Sequence, residues 1–196
     1  MPEREPFHVE DAGAWEAWLE ANAGSSPGVW LAIPKKGSGR SSPSYAEALD
    51  IALCFGWIDG QKAPLDEACF LQRFTPRGSR SIWSERNREH VARLTAAGRM
   101  RPPGLAEVER AKADGRWDAA YPGQASARVP DDLRAALDAE PAAAALFAEL
   151  DATNRYAILF RIGNVKRAET RARKIDEYVA MLARGETLHP RRGTRG

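Results

Sequence analysis

Cysteine is scarce: Cys54 and Cys69 are the two in a chain of 196 residues. With no export signal to place them in an oxidising compartment, they read as free thiols rather than as a disulfide. Histidine is nearly as rare, and His8, His90 and His189 are scattered. Neither residue type recurs at a metal-ligand spacing, so no metal is expected. No apolar run approaches the roughly 18 residues that a bilayer span needs, so no membrane span is expected. The opening MPEREPFHVE brings acids early and no apolar stretch, so a cytoplasmic setting is the expectation. A P-loop, a dinucleotide-binding glycine fingerprint and a nucleophile elbow are missing as well, and Gly37-Ser-Gly39 alone substitutes for none of them. No cofactor is therefore expected. Net charge is small, 29 Lys and Arg against 27 Asp and Glu, so any electrostatic argument rests on local clusters.

What is present suits a globular protein: 43% hydrophobic and 29% charged residues leave no reason to expect global disorder. Ala12 to Ala23 carries Trp15, Trp18 and Leu19 at helical spacing behind Asp11, a helix-capping residue. Val29 to Ile33 reads as a buried strand, and the segment from Lys35 to Pro43 as a basic, flexible loop. Ser44 opens a second helix through Phe55. Trp57 to Leu65 and Cys69 to Phe74 read as a hairpin turning at Asp66-Glu67, and Thr75-Pro-Arg-Gly78 as a β-turn. Ser84 caps a charged helix that Gly98 ends. Arg101-Pro-Pro-Gly104 breaks the chain before a short helix from Leu105 to Asp114.

Beyond Pro130 the pattern is purely helical. The expected helices run from Asp131 to Ala139, from Pro141, from a Thr153 cap to Gly163, and from Ala168 to Arg184. The last carries Ile175, Tyr178, Val179 and Leu182 on one face. These elements predict an α+β protein in two domains. Residues 1–124 form a small antiparallel sheet with helices, residues 125–190 an all-helical domain, and residues 191–196 a disordered tail. No internal repeat is present.

Between Arg73 and Arg101 stand eight arginines and two glutamates, with no lysine. Guanidinium offers a planar donor fork suited to phosphate and carboxylate, and it stacks on aromatic rings. Ser79, Ser81, Ser84, Asn87 and Trp83 lie among them, and a helix opened by Ser84 would present free amides to an anion. A charged helix is equally the mark of a solvated face or of structural ion pairs. In Gly56-Trp-Ile-Asp-Gly60, Asp59 reads in three ways: as a turn residue, as an ion-pair partner of Arg73 or Arg77, or as a desolvated acid or base. Trp57 sits among apolar neighbours and reads first as core. Cys54 lies in an apolar run, where a small thiol is buried and inert.

Three phrases resemble the bacterial YdeI/OmpD-associated, bacteriocin-protection family: Cys54-Phe-Gly-Trp-Ile-Asp-Gly-Gln61, then Arg73-Phe-Thr-Pro-Arg77 with Ser81-Ile-Trp-Ser84 and Asn87, and Glu169-Thr-Arg-Ala-Arg-Lys-Ile175. The resemblance runs from about Phe7 to Glu186. It implies an association with resistance to antimicrobial peptides and no settled enzyme mechanism. By helix and strand order the N-terminal part is also similar to the small α+β domains of the YdhG and MmcQ/YjbR kinds. Some names in the family imply a periplasmic setting.

The resulting expectation is a non-catalytic ligand-binding or stress-protection protein that takes an anionic small molecule. Arg73 and Arg77 would hold the anion, Ser81, Ser84 and Asn87 orient it, and Trp57 and Trp83 form an apolar wall, with Asp59 beside them. Two alternatives stand next to it. One is a nucleic-acid-associated protein using this segment and the basic stretch of Arg161, Lys166, Arg167, Arg171, Arg173, Lys174 and Arg184. The other is an enzyme with Asp59 as general acid or base. Oligomeric state carries no signal in the sequence.

Overall fold

Asp11 takes extended backbone and its carboxylate accepts the Ala14 amide at 2.8 Å, which starts helix α1 (Ala12–Asn22). The structure is a computed structural model and describes residues 4–39 and 42–190. Ser44 and Glu47 form a reciprocal capping box that opens α2 (Tyr45–Cys54). Ser84 accepts the Asn87 amide at the start of α3 (Glu85–Ala96). The remaining helices are α4 (Pro102–Ala113), α5 (Asp131–Asp138), α6 (Pro141–Glu149), α7 (Ala152–Gly163) and α8 (Ala168–Ala183). Four strands, β1 (Pro6–Phe7), β2 (Val29–Pro34), β3 (Trp57–Pro64) and β4 (Cys69–Pro76), form one sheet in the order β1-β2-β4-β3. The class is α+β. β2, β4 and β3 are antiparallel as expected, and β1 adds a parallel pairing to β2, so the sheet is mixed.

Three expected boundaries shift, each for a physical reason. Proline suits the first turn of a helix, so α4 begins at Pro102 instead of breaking there. Asp151, not Thr153, caps α7, because its carboxylate accepts the Asn154 amide at 2.7 Å. Thr75 and Pro76 stay in β4, paired to Ile58 and Trp57, so the chain turns later, where the Ser81 amide donates to the Gly78 carbonyl. Arg40 and Ser41 of the expected basic loop, and the expected tail of residues 191–196, lie outside the described residues.

By its contacts the chain divides into two compact units, Met1–Ala120 and Tyr121–Gly196. In the first, alternate residues of β2 and β4 present Leu31, Ile33 and Phe74 to α1 and α2. Trp15, Trp18 and Trp57 pack among them, with Trp15 stacked on Trp18 at 5.4 Å and Trp57 edge-on to both. Both buried indoles find acceptors: Trp15 Nε1 donates to the Ala48 carbonyl and Trp57 Nε1 to the Ala23 carbonyl, each at 3.1 Å. Gly104 permits the close approach of α4 to α2, since a Cβ there would lie 2.1 Å from the Cys54 carbonyl oxygen. A β-bulge interrupts β3 between Asp59 and Lys62. The buried Gln72 fills it, donating to the carbonyls of Gly60 at 3.0 Å and Gln61 at 3.2 Å. In the second unit, Leu133, Leu137, Phe147, Ile158, Ile162, Ile175, Tyr178 and Leu182 make one core from all four helices.

Candidate functional site

The turn from β4 to α3 brings five of the expected residues together: Arg77, Ser81, Trp83, Ser84 and Asn87. The Arg77 guanidinium lies 3.6 Å from the centroid of the Trp83 ring and donates to the Ile82 carbonyl at 3.2 Å. Ser81 accepts the Gly78 amide, and Ser84 accepts that of Asn87. Trp83 is 2% exposed and meets Trp117 edge-on at 4.9 Å, and the Arg88 guanidinium lies 5.2 Å from the Trp117 ring. The result is a continuous run of contacts from Arg77 through Trp83 and Trp117 to Arg88, beside the small core of Val91, Val108 and Ala111.

The other three expected residues lie elsewhere. Trp57 is 1% exposed in the aromatic core. Asp59 accepts a hydrogen bond from the Tyr45 hydroxyl at 2.7 Å, and no ion pair joins it to Arg73 or Arg77 among the described residues. Arg73 faces away from the core, its guanidinium 5.8 Å from the Trp30 ring, and lines a depression of about 320 Å³ with Gly28 and Phe7.

Much of the remaining arginine charge between Arg73 and Arg101 is spent inside the fold. Arg93 donates to both Asp50 oxygens at 2.7 and 2.6 Å, and His90 Nδ1 meets the same carboxylate at 2.7 Å. Partial burial alone would raise the Asp50 pKa, but the hydrogen bonds from Arg93 and His90 outweigh it and hold the carboxyl below its ordinary value. Arg101 pairs with Glu16 at 2.9 Å, and Arg88 donates to the Trp117 carbonyl. Glu107, 2% exposed, is held by Arg110 and by Arg116, the latter at 3.1 Å. In the second unit Arg171 grips Asp132 at 2.6 Å and also donates to the Ile162 carbonyl, while Arg184 pairs with Glu186.

Cys54 is buried, and that burial pushes its thiol pKa up, away from nucleophilic use. Among the described residues no group of three or more His, Cys, Asp or Glu side chains is arranged to hold a metal ion. No helix of the described residues is long and apolar enough to cross a membrane.

A different cluster of arginines emerges in the second unit. The segment before α5, α5 itself, α6 and the first turn of α7 enclose a groove of about 540 Å³. Its floor is apolar, with Val129, Leu137, Ala144 and Phe147; Arg128, Arg134 and Arg155 stand around it, opposed by Asp138. Arg155 lies 4.7 Å from the Phe147 ring, and Arg134 reaches the Val129 carbonyl at 3.4 Å. None of the three arginines forms an ion pair among the described residues. Phe147 and Leu137 are each 5% exposed, so the floor is core and the cationic heads stand above it. These arginines form no cluster in the sequence, because they come from three separate elements. A signal existed in the 3.6-residue periodicity, which puts Leu137 inward on α5 while leaving Arg134 outward.

Residues 7–107 match the family model described as a domain of unknown function, DUF8412. Residues 126–185 match the model described as bacteriocin-protection, YdeI or OmpD-associated. No curated protein and no solved structure matches the chain. The second match spans the whole of the arginine-rimmed groove.

Proposed function

Because the chain belongs to the DUF8412 family and its residues 126–185 carry the YdeI/OmpD-associated, bacteriocin-protection domain, we propose that it is a non-catalytic protection protein that binds an anionic amphiphile. One observation carries this reading: among the described residues Arg128, Arg134 and Arg155 form no ion pair, and they stand around an apolar floor within the segment that the bacteriocin-protection model matches. Guanidiniums with no carboxylate partner attract a carboxylate, phosphate or sulfonate head, and the Leu137–Phe147 floor takes an apolar body. The groove's volume lies within the range of small-molecule sites. Its charge opposes direct capture of a cationic peptide, so protection runs through the bound amphiphile and not through the peptide. A cytoplasmic, stress-resistance role in a bacterium fits this reading.

Native mass spectrometry of the full chain purified at low salt, followed by titration with dodecanoate, tests it. The expected result is one bound molecule per chain, with affinity falling at least tenfold in R155Q and further in R134Q/R155Q. Loss of binding in R73A with R155Q unaffected would place the ligand at the arginine beside Trp30 and overturn the groove.

A further inference from the structure

The chain has 23 arginines and six lysines, and three of those lysines line a single pocket of the first unit. That concentration is not what an arginine-biased composition produces. Lys35 and Lys36 follow the end of β2, Lys62 lies on β3, and Pro34, Pro64 and Phe70 complete the walls of a pocket of about 640 Å³. No carboxylate is among the described residues that line it.

The sheet explains how the cations are placed. Phe70 pairs with Ile33 on one side and Pro64 on the other, and Lys62 pairs with Gln72. Opposed residues of antiparallel strands share a face, so Lys62 and Phe70 are diagonal neighbours on that face. The Lys62 ammonium accordingly lies 3.8 Å from the centre of the Phe70 ring. Lys35 is fixed differently: its backbone amide donates to the Ala68 carbonyl at 2.7 Å, and its ammonium donates to the Asp66 carbonyl at 2.8 Å. The Asp66 carboxylate accepts the amides of Ala68 and Cys69. Two of the three ammoniums are therefore held in position before any ligand arrives, which lowers the entropic cost of binding. Each retains donors, because an ammonium has three N–H bonds.

We infer that this pocket binds a phosphorylated small molecule: Lys35, Lys36 and Lys62 hold the phosphate dianion, and the Pro34–Phe70–Pro64 wall packs against its organic body. Lysine suits this task as a compact point charge with rotatable donors, where a planar fork would demand one fixed orientation. Two held cations and a third on the exposed Lys36 match a dianion better than a single carboxylate. The site is independent of the arginine groove in the second unit and stands or falls without it.

Isothermal titration of the full chain at low salt with phenyl phosphate and with inorganic phosphate tests the assignment. Phenyl phosphate is expected to bind saturably and at least tenfold tighter than inorganic phosphate. Affinity for it should fall at least tenfold in K62Q and in K36E, and remain unchanged in R155Q. All three lysines are exposed, so the variants should melt with the parent protein. Absence of saturable binding, or undiminished affinity in K35Q/K36Q/K62Q, overturns the site. Equal affinity for the two probes overturns the organic body.

Discussion

Arg77 and Trp83 form a buried pair in which the guanidinium carbon sits 3.6 Å from the indole centroid and both side chains are almost wholly removed from water, at 6% and 2% exposure. Cation–π contacts strengthen as they are desolvated, to about 2 kcal/mol or more. Removing the guanidinium also opens a void in a small core built on Trp83, Val91, Val108 and Ala111. Arg77→Ala should therefore lower the unfolding free energy by about 2–4 kcal/mol, and Arg77→Lys by less, because lysine keeps the charge and loses the planar face. Urea unfolding followed by tryptophan fluorescence measures both.

Stability should fall in acid, and Asp50 is one identifiable cause. Its folded-state pKa is depressed by Arg93 and His90 in spite of partial burial. The native state thus binds fewer protons at this group than the unfolded state, whose aspartate titrates near about 3.9. The contribution is complete above that value and is lost as pH falls through the lower folded value. Asp132, held low chiefly by its hydrogen bond from Arg171, adds to the same window. Melting temperatures from pH 6 to pH 2.5 should drop at the acid end for the parent protein. Asp50→Asn should start lower and show a shallower acid limb; an unchanged limb would show that other carboxylates set it.

Gly104→Ala has a sharper cost than its single methyl suggests. The added Cβ would fall 2.1 Å from the Cys54 carbonyl oxygen and 2.7 Å from its carbon. These are backbone atoms that no rotamer change can move aside. α4 must back away from α2, which should cost about 3 kcal/mol, at the upper end of ordinary overpacking. A thermal melt reads the loss directly, and hydrogen exchange should show it concentrated in α4.

Gln72→Leu should cost about 1–3 kcal/mol although it puts an apolar residue at a buried position. The amide of Gln72 donates to the carbonyls of Gly60 and Gln61, the two residues at the bulge that have no opposed partner on β4. Leucine has a similar volume but no donor. Gln72→Glu should be worse, since a carboxylate accepts where donation is needed.

The secondary structure was legible where its signals are local. Asp11, Ser44, Ser84 and Pro141 announced their helices, and the apolar stripe through Ile175 and Leu182 announced the last. β1 was not legible, because two residues carry no period and Phe7 is ordered by pairing with Leu31. The Pro102–Pro103 pair misled, since proline breaks a helix in its interior but suits its first turn, and here it opens α4. The arginines of the 73–101 segment stood out in the sequence, but composition cannot say which of them meet Asp50, Glu16 or an indole ring. Conversely Arg128, Arg134 and Arg155 are unremarkable in sequence and become a cluster once α5, α6 and α7 pack.

The bulge in β3 has an effect beyond its own hairpin. β3 is the outer strand of the sheet, and at Gly60 and Gln61 its carbonyls turn inward to the Gln72 side chain. An incoming strand would meet a gap in the ladder there and the exposed ammonium of Lys62 beside it. The bulged border is therefore a poor template for a further strand, and edge-to-edge addition of a second copy along β3 is opposed by the strand's own geometry.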